Sequence, residues 1–216
     1  PRAGNGVYAV NNLNRGNGSP PLVGPDQNRD VPASTVTFAE MMQGGGYVTA
    51  HFGKYHVGGN EGGSSTLPQN QGFDFNFGGT AAGNPPSYFA NMNTGSWRFG
   101  GGIGPELDPY AQPYTDTYIT NNIFPYQSNF TFSELSAFLS GTSKHLTDGM
   151  ADAVETYIKN HVSGPNAAKP FFIHYSHYAV HVPDQGRGDL VSKYQSKPGG
   201  VRHNDHVYAA MIEQLD

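Results

Sequence analysis

The sequence predicts an α/β fold, a sheet with flanking helices, and three observations predict it. A short apolar strand, Tyr47 to Phe52, follows a capped helix. A second helix, Asp148 to His161, leads through Lys169-Pro170 into another apolar strand, Phe171 to Tyr175. A third helix begins near Asn204. Strands that alternate with helices point to a sheet covered by those helices.

Residues 1–33 are rich in Gly, Asn and Pro and read as an extended connection. Thr37-Phe38-Ala39-Glu40 is a capping box, in which Thr and Glu each satisfy the other's free backbone donor. Phe38, Met41 and Met42 are expected on the apolar face of this helix. Gly44-Gly45-Gly46 stops it, because glycine takes the left-handed conformation that ends helices. The helix precedes the strand, so the triple glycine lacks the strand-then-helix context of a nucleotide-binding loop. Residues 57–143 read mostly as loop, and a loop of that length usually shapes a site or a partner surface. In the helix Asp148 to His161, Met150, Ala153, Val154, Tyr157 and Ile158 recur at the helical period. Thr147 or Asp148 is its expected cap, and Gly164-Pro165 its end. The strand Phe171 to Tyr175 is apolar on both faces at first, as in a sheet covered on both sides. Residues 184–203 read as another loop. The last helix places Val207, Ala210, Met211 and Leu215 on one side.

Composition narrows the function. The chain has 216 residues, enough for one domain with a substantial core. Charged residues are 13%, against about 25% in an ordinary domain. The 29 Gly and 16 Pro imply long loops, while 13 Tyr and 13 Phe imply a packed protein. A net charge of −5 gives no basic footprint for nucleic acid. No apolar run approaches the ~20 residues that span a bilayer. The start, Pro1-Arg2-Ala3-Gly4, is not a signal peptide, and without an initiator Met the chain is expected to begin inside a longer protein. The absence of Cys excludes disulfides, thiolate metal sites and a Cys nucleophile within this sequence. Asn17-Gly18-Ser19 and Asn129-Phe130-Thr131 match the glycosylation pattern, a pattern that also arises by chance.

Two clusters carry chemistry. The first is Ala50-His51-Phe52-Gly53-Lys54-Tyr55-His56-Val57-Gly58. Lys54 and His56 follow the C-terminal end of a strand, where open α/β sheets place ligands. Two residues apart in an extended segment, they are expected to point to one side. Lys suits a sulfate or phosphate oxygen, and His moves protons near neutral pH. The alternative is a surface Lys beside a His bonded to a backbone carbonyl. The second cluster runs from Phe171 to Pro183 and holds His174, His177 and His181. His177 and His181 have the spacing of a helical zinc pair, but no Glu lies between them, and Val180, Val182 and Pro183 disfavour a helix. His174 reads as a satisfied core or edge histidine. Val182 precedes a proline and should be extended, projecting His181 from the strand end into a cleft. Tyr88, Phe89, Trp97 and Phe99 suit either stacking on a sugar ring or loop packing.

At these residues the sequence resembles a known family. Gly53-Lys54-Tyr55-His56-Val57-Gly58 resembles the Gly-Lys-Trp-His-Leu-Gly motif of the formylglycine-dependent (type I) sulfatases, the arylsulfatase family. Lys169-Pro170-Phe171-Phe172 through His181-Val182-Pro183 resembles their second histidine segment. Gln71-Gly72-Phe73-Asp74 and the closing Tyr208 to Asp216 also match, in the family order. The resemblance covers about residues 32–80 and 145–216, and Tyr55 replaces the usual Trp.

The resemblance implies an alkaline-phosphatase-like sheet, incomplete in this chain. Residues 1–216 would be part of a single catalytic domain that hydrolyses sulfate esters, of small molecules or carbohydrates. Lys54 would bind the sulfate and neutralise its charge. His56 would hold the formylglycine hydroxyl and help release sulfate. His181 would contact the bridging oxygen and protonate the leaving alcohol. A calcium ion and a formylglycine residue are expected in the parent enzyme. Their Cys/Ser-x-Pro/Ala-x-Arg motif, the Asp-Asp and Asp-Asn ligands and a second active-site Lys are absent, so no metal ligand is assigned here. The family order sets them before Pro1 or after Asp216, and this chain alone is expected to be inactive. The resemblance also implies a secreted or periplasmic protein, and the charge and hydropathy above lead us to expect neither nucleic acid nor membrane as a partner. The rival readings are a phosphate or phosphonate ester hydrolase of the same superfamily, a non-catalytic module for sulfated glycans, and a zinc hydrolase.

Overall fold

The computed structural model describes residues 29–60 and 62–216. The expected connection therefore lies outside the described residues up to residue 28, as does Asn17. In chain order the elements are α1 (Phe38–Gly44), β1 (Val48–Gly53), β2 (Phe75–Phe77), β3 (Asn91–Asn93) and β4 (Ser96–Arg98). Then come α2 (Asp116–Tyr118), α3 (Phe132–Leu139), α4 (Leu146–Ser163), β5 (Phe171–Ser176), α5 (Gly188–Gln195) and α6 (His206–Leu215). Short 3-10 turns and one π-turn, Ile119–Ile123, fill several connections.

The sheet has the order β2-β1-β5 and is parallel throughout. β1 lies in its middle, and all six of its residues are buried. Val48 pairs with Phe171 and Gly53 with Ser176, so β1 and β5 end together. The backbone of Gly53 is left-handed, with φ 86°. A Cβ there would lie 2.1 Å from the Ser176 carbonyl oxygen and 2.3 Å from Met150 Cε, so only glycine fits. Phe52 stacks on Phe77 of β2 at 4.5 Å, and Ala50, Phe52, Met150 and Tyr157 belong to one core with Leu107 and Met211.

The capping box of α1 is present: Thr37 Oγ1 accepts from the Glu40 N–H, and Glu40 Oε2 accepts from the Thr37 N–H. Gly46 ends the turn at φ 88°. The expected apolar face is not the buried one. Ala39 is buried, whereas Phe38 and Met41 are exposed, Phe38 standing edge-on to Phe172 of β5 at 5.2 Å. β5 also departs from expectation. Among the described residues it is an edge strand, so Phe171 and His174 are exposed rather than covered.

α4 begins two residues before the expected start, and its cap is neither Thr147 nor Asp148. His145 Nδ1 accepts from the Thr147 N–H at 3.2 Å. A buried neutral imidazole can play that part, and Asp148 is engaged elsewhere. Arg187, 8% exposed at its side chain, donates to both oxygens of Asp189 and to Asp148 Oδ2 at 3.1 Å. Asp148 also accepts from the Tyr114 hydroxyl and from Gln214 Nε2. Burial alone would lower the Arg187 pKa, but the charges of Asp148 and Asp189 outweigh it and raise it.

Residues 57–143 are more ordered than expected. They contribute β2, the β3–β4 hairpin turning at Thr94-Gly95, and α3. α3 opens with a second capping box, Thr131 with Glu134, and buries Leu135 and Leu139 against Tyr114, Ile119 and Ile123. α5 likewise replaces part of the loop expected at 184–203. It buries Leu190 and packs beside α6, where Lys193 pairs with Glu213 at 2.6 Å. α6 starts after Asp205, whose carboxylate accepts from the N–H groups of Val207 and Tyr208. Asn129 is exposed.

Two buried histidines make stability depend on pH. His51 faces His174, Tyr55 and Phe73; its Nδ1 is 2.9 Å from His174 Nδ1, and its Nε2 is 3.0 Å from the Gly53 carbonyl oxygen. Burial, then the His174 charge, lowers its pKa from 6.5 to about 4. Burial lowers His145 to about 4 as well, against the opposing pull of Asp148. Both groups take up protons more readily unfolded than folded. Their contribution is therefore intact above pH ~6.5 and is lost as pH falls toward 4. Thermal melts across that range should show a steady fall in Tm, and His51→Asn should flatten it. An unchanged slope in that variant would show that His51 is not held neutral.

Candidate functional site

The site is built on the shared end of β1 and β5. The Lys54 N–H donates to the Ser176 carbonyl at 2.8 Å, extending the ladder by one residue. The chain then bends. His56 adopts φ 55°, a conformation uncommon outside glycine and seen at functional sites, and its N–H donates to the Thr80 carbonyl at 3.1 Å. The segment is thus not extended, and strand alternation is not what brings Lys54 and His56 together. They are neighbours all the same. Although His56 is exposed, partial desolvation lowers its pKa, and the positive charges of Lys54 and then His181 lower it further.

His181 reaches this place from a turn, not from the strand end. β5 stops at Ser176, and the His181 N–H donates to the Tyr178 carbonyl and to the Tyr88 hydroxyl, each at 3.1 Å. The ring Nδ1 is 3.0 Å from the Val182 carbonyl oxygen. A carbonyl only accepts, so Nδ1 carries the hydrogen and Nε2 is the atom left to exchange a proton.

Lys54 is half-buried. Burial lowers its pKa, and among the described residues no acidic side chain lies within ion-pair distance of it. A partly dehydrated cation whose charge, like that of His181, is felt at the His56 ring favours an anion nearby.

The remaining candidates sort themselves by contact. His174 pairs with His51, as expected of a satisfied edge histidine. His177 lies against the Tyr175 ring at 4.0 Å, in the irregular segment after β5 rather than a helix. Tyr88 and Phe99 are fully buried, so neither can stack on a sugar; Phe89 and Trp97 are partly buried. Tyr88 instead stacks on His145 at 5.3 Å and holds His181 through its hydroxyl, a role its sequence context did not signal. Thr80 and Gly83, which touch His56, also went unread because nothing in a Gly-Ala-Asn-Pro loop marks them.

The architecture is the alkaline-phosphatase-like α/β fold. Among solved structures, Ps i-CgsB resembles 88% of this chain and 36% of its own, with a TM-score of 0.50 and 19% identity. A second structure, Ps i-CgsB in complex with k-i-k-neocarrahexaose, gives a TM-score of 0.50 and 18% identity over the same shares. The sulfatase family model matches residues 7–216, and a sulfatase from Formosa agariphila is 34% identical over 99% of the chain. Arylsulfatase G of Rattus norvegicus is 26% identical over 86%. The chain belongs to the sulfatase family. It spans 38% of the Formosa agariphila protein and 31% of the rat enzyme.

The unpaired cation generates a prediction. Lys54→Met should leave the melting temperature unchanged or raise it, since it removes a charge dehydrated without a partner. Inorganic sulfate should raise the Tm of the unaltered protein and not that of the variant. A marked loss of stability in Lys54→Met, with sulfate still protective, would show that the lysine holds the fold and not an anion.

Proposed function

We propose that the parent protein hydrolyses sulfate esters to an alcohol and inorganic sulfate, and that residues 1–216 form part of its single catalytic domain. The observation that carries this reading is the half-buried, unpaired Lys54 ammonium beside His56 and His181, at the end of the β1–β5 pair. Lys54 binds the sulfate and offsets the charge that grows on its oxygens as the ester bond breaks. His181 contacts the bridging oxygen and supplies a proton from Nε2 to the departing alcohol. His56 faces the same charge centre and is placed to accept or return a proton there. Membership of the family favours sulfate over phosphate esters. The complex of Ps i-CgsB with k-i-k-neocarrahexaose supports a carbohydrate as the alcohol.

The residues here do not supply the calcium site or the formylglycine that the family resemblance implies. The chain has no cysteine, and among the described residues no three His, Cys, Asp or Glu gather to hold a metal. Both groups are assigned to the rest of the parent protein, and no step above runs through them. We also assign the parent to the periplasm or the extracellular space; recovery of its activity only in the cytoplasmic fraction would refute that. Among the described residues no helix is long and apolar enough to cross a membrane.

Steady-state kinetics of the parent protein test the reading. Lys54→Ala should lower kcat by about a hundredfold or more, with a smaller change in KM, because ~1.4 kcal/mol of lost stabilisation is tenfold in rate. His181→Ala should slow alkyl or sugar sulfates far more than aryl sulfates, whose leaving groups need no proton. Equal losses on both substrate types would remove His181 from the acid role. Turnover of phosphate esters ahead of sulfate esters would give the site to the other anion.

A further inference from the structure

Gly83 lies broadside to the His56 ring. A Cβ placed on it would fall 2.4 Å from His56 Cε1, 2.6 Å from Nδ1 and 2.8 Å from Nε2. Three ring atoms at these distances mean that the imidazole rests flat on the Gly83 backbone. The glycine is not needed for its own conformation. Its φ lies outside the left-handed range, unlike Gly53, Gly59, Gly78 and Gly102, whose φ values run from 82° to 89°. The Gly83 φ does not by itself exclude alanine, and what a Cβ would strike is the ring.

The wall is fixed and the ring is not. Thr80 accepts the His56 N–H, its hydroxyl donates to the Gly102 carbonyl at 2.5 Å, and the Ala82 N–H donates to that hydroxyl at 3.1 Å. Pro85 is buried, and Ser87 donates to Gln185 Oε1 at 3.1 Å. The loop 80–87 is thus anchored on both sides of Gly83. His56, by contrast, is exposed, and among the described residues its ring nitrogens make no hydrogen bond. The left-handed backbone sets where the ring starts, and the Gly83 surface lies against its face.

We infer that Gly83 is a positioning residue, a flat wall that orients the His56 ring so that its nitrogens face the anion held by Lys54. The inference rests on the proposed role of the Lys54–His56–His181 site. Gly83→Ala would push the ring off the wall toward solvent at little cost to the fold, because the far end of a side chain is what must move. Misplacement by about 1 Å at a reacting group costs up to ~100-fold in rate.

The test uses Gly83→Ala in the full parent protein, with 4-nitrophenyl sulfate as probe. The melting temperature should be unchanged, kcat should fall about 10- to 100-fold, and KM should change far less. The His56 ring, followed by NMR titration and assigned by its loss in His56→Gln, should titrate closer to the ordinary histidine value as it moves away from Lys54. In a His56→Gln background Gly83→Ala should have no further effect on kcat. A ring that shifts while turnover holds would keep the positioning role and remove His56 from the reaction. An unmoved His56 titration, or a further loss in the His56→Gln background, would overturn the inference. If Gly83→Ala does not fold, the double variant His56→Ala/Gly83→Ala decides: recovery of the fold supports the wall, and failure shows that the loop itself requires glycine.

Discussion

One buried cation organises the helical side of this molecule. Arg187 draws Asp148 of α4 and Asp189 of α5 onto a single guanidinium, and Asp148 in turn collects Tyr114 and Gln214 of α6. Removing one partner from such a set would leave an uncompensated charge in the interior, which costs several times a lost surface pair. The set also reaches the site. His145, at the start of α4, donates its N–H to the Tyr114 hydroxyl and contacts the Gln185 carbonyl through Nε2 at 2.9 Å. Gln185 Oε1 accepts the Tyr88 N–H, and the Tyr88 hydroxyl accepts the His181 N–H. A continuous chain of hydrogen bonds thus runs from the structural ion pairs to the backbone of a site histidine.

Arg187 and Lys54 are treated in opposite ways. Arg187 is almost fully enclosed and answered by two carboxylates. Lys54 is only half enclosed and answered by none within reach. The first arrangement favours rigidity, and the second keeps a charge available for something that arrives from outside.

The strongest local signals were legible from the chain. Thr37 with Glu40 marked α1, the run of apolar residues marked β1 and β5, and the period of Met150, Ala153 and Tyr157 marked α4. Thr131 with Glu134 carries the same capping signal as α1, yet the surrounding Gly, Pro and Asn hid α3. α5 is short and flanked by glycines, and its one fully buried apolar anchor, Leu190, is too little for a periodic pattern. The two motif segments could be named, but not how they meet. The bend at His56 and the turn at His181 depend on Thr80, Gly83 and Tyr88, which lie far away in sequence and make contact only after folding. Edge exposure of β5 was likewise invisible, because its composition is that of a strand covered on both faces.

The register that pairs Gly53 with Ser176 has a consequence for diversification. The two strand ends are fixed to each other by main-chain bonds, so their separation owes nothing to the length of chain between them. Lengthening a surface loop is cheap, at roughly 0.6 kcal/mol for each doubling. The β3–β4 hairpin and the exposed turns beside it can therefore be enlarged without moving Lys54 relative to β5, whereas Thr80, Gly83 and Tyr88 stay because they hold the two site histidines. In such a scaffold, variation in what is accepted and constancy in how it is handled fall to separate stretches of the polypeptide, and each can drift at its own pace.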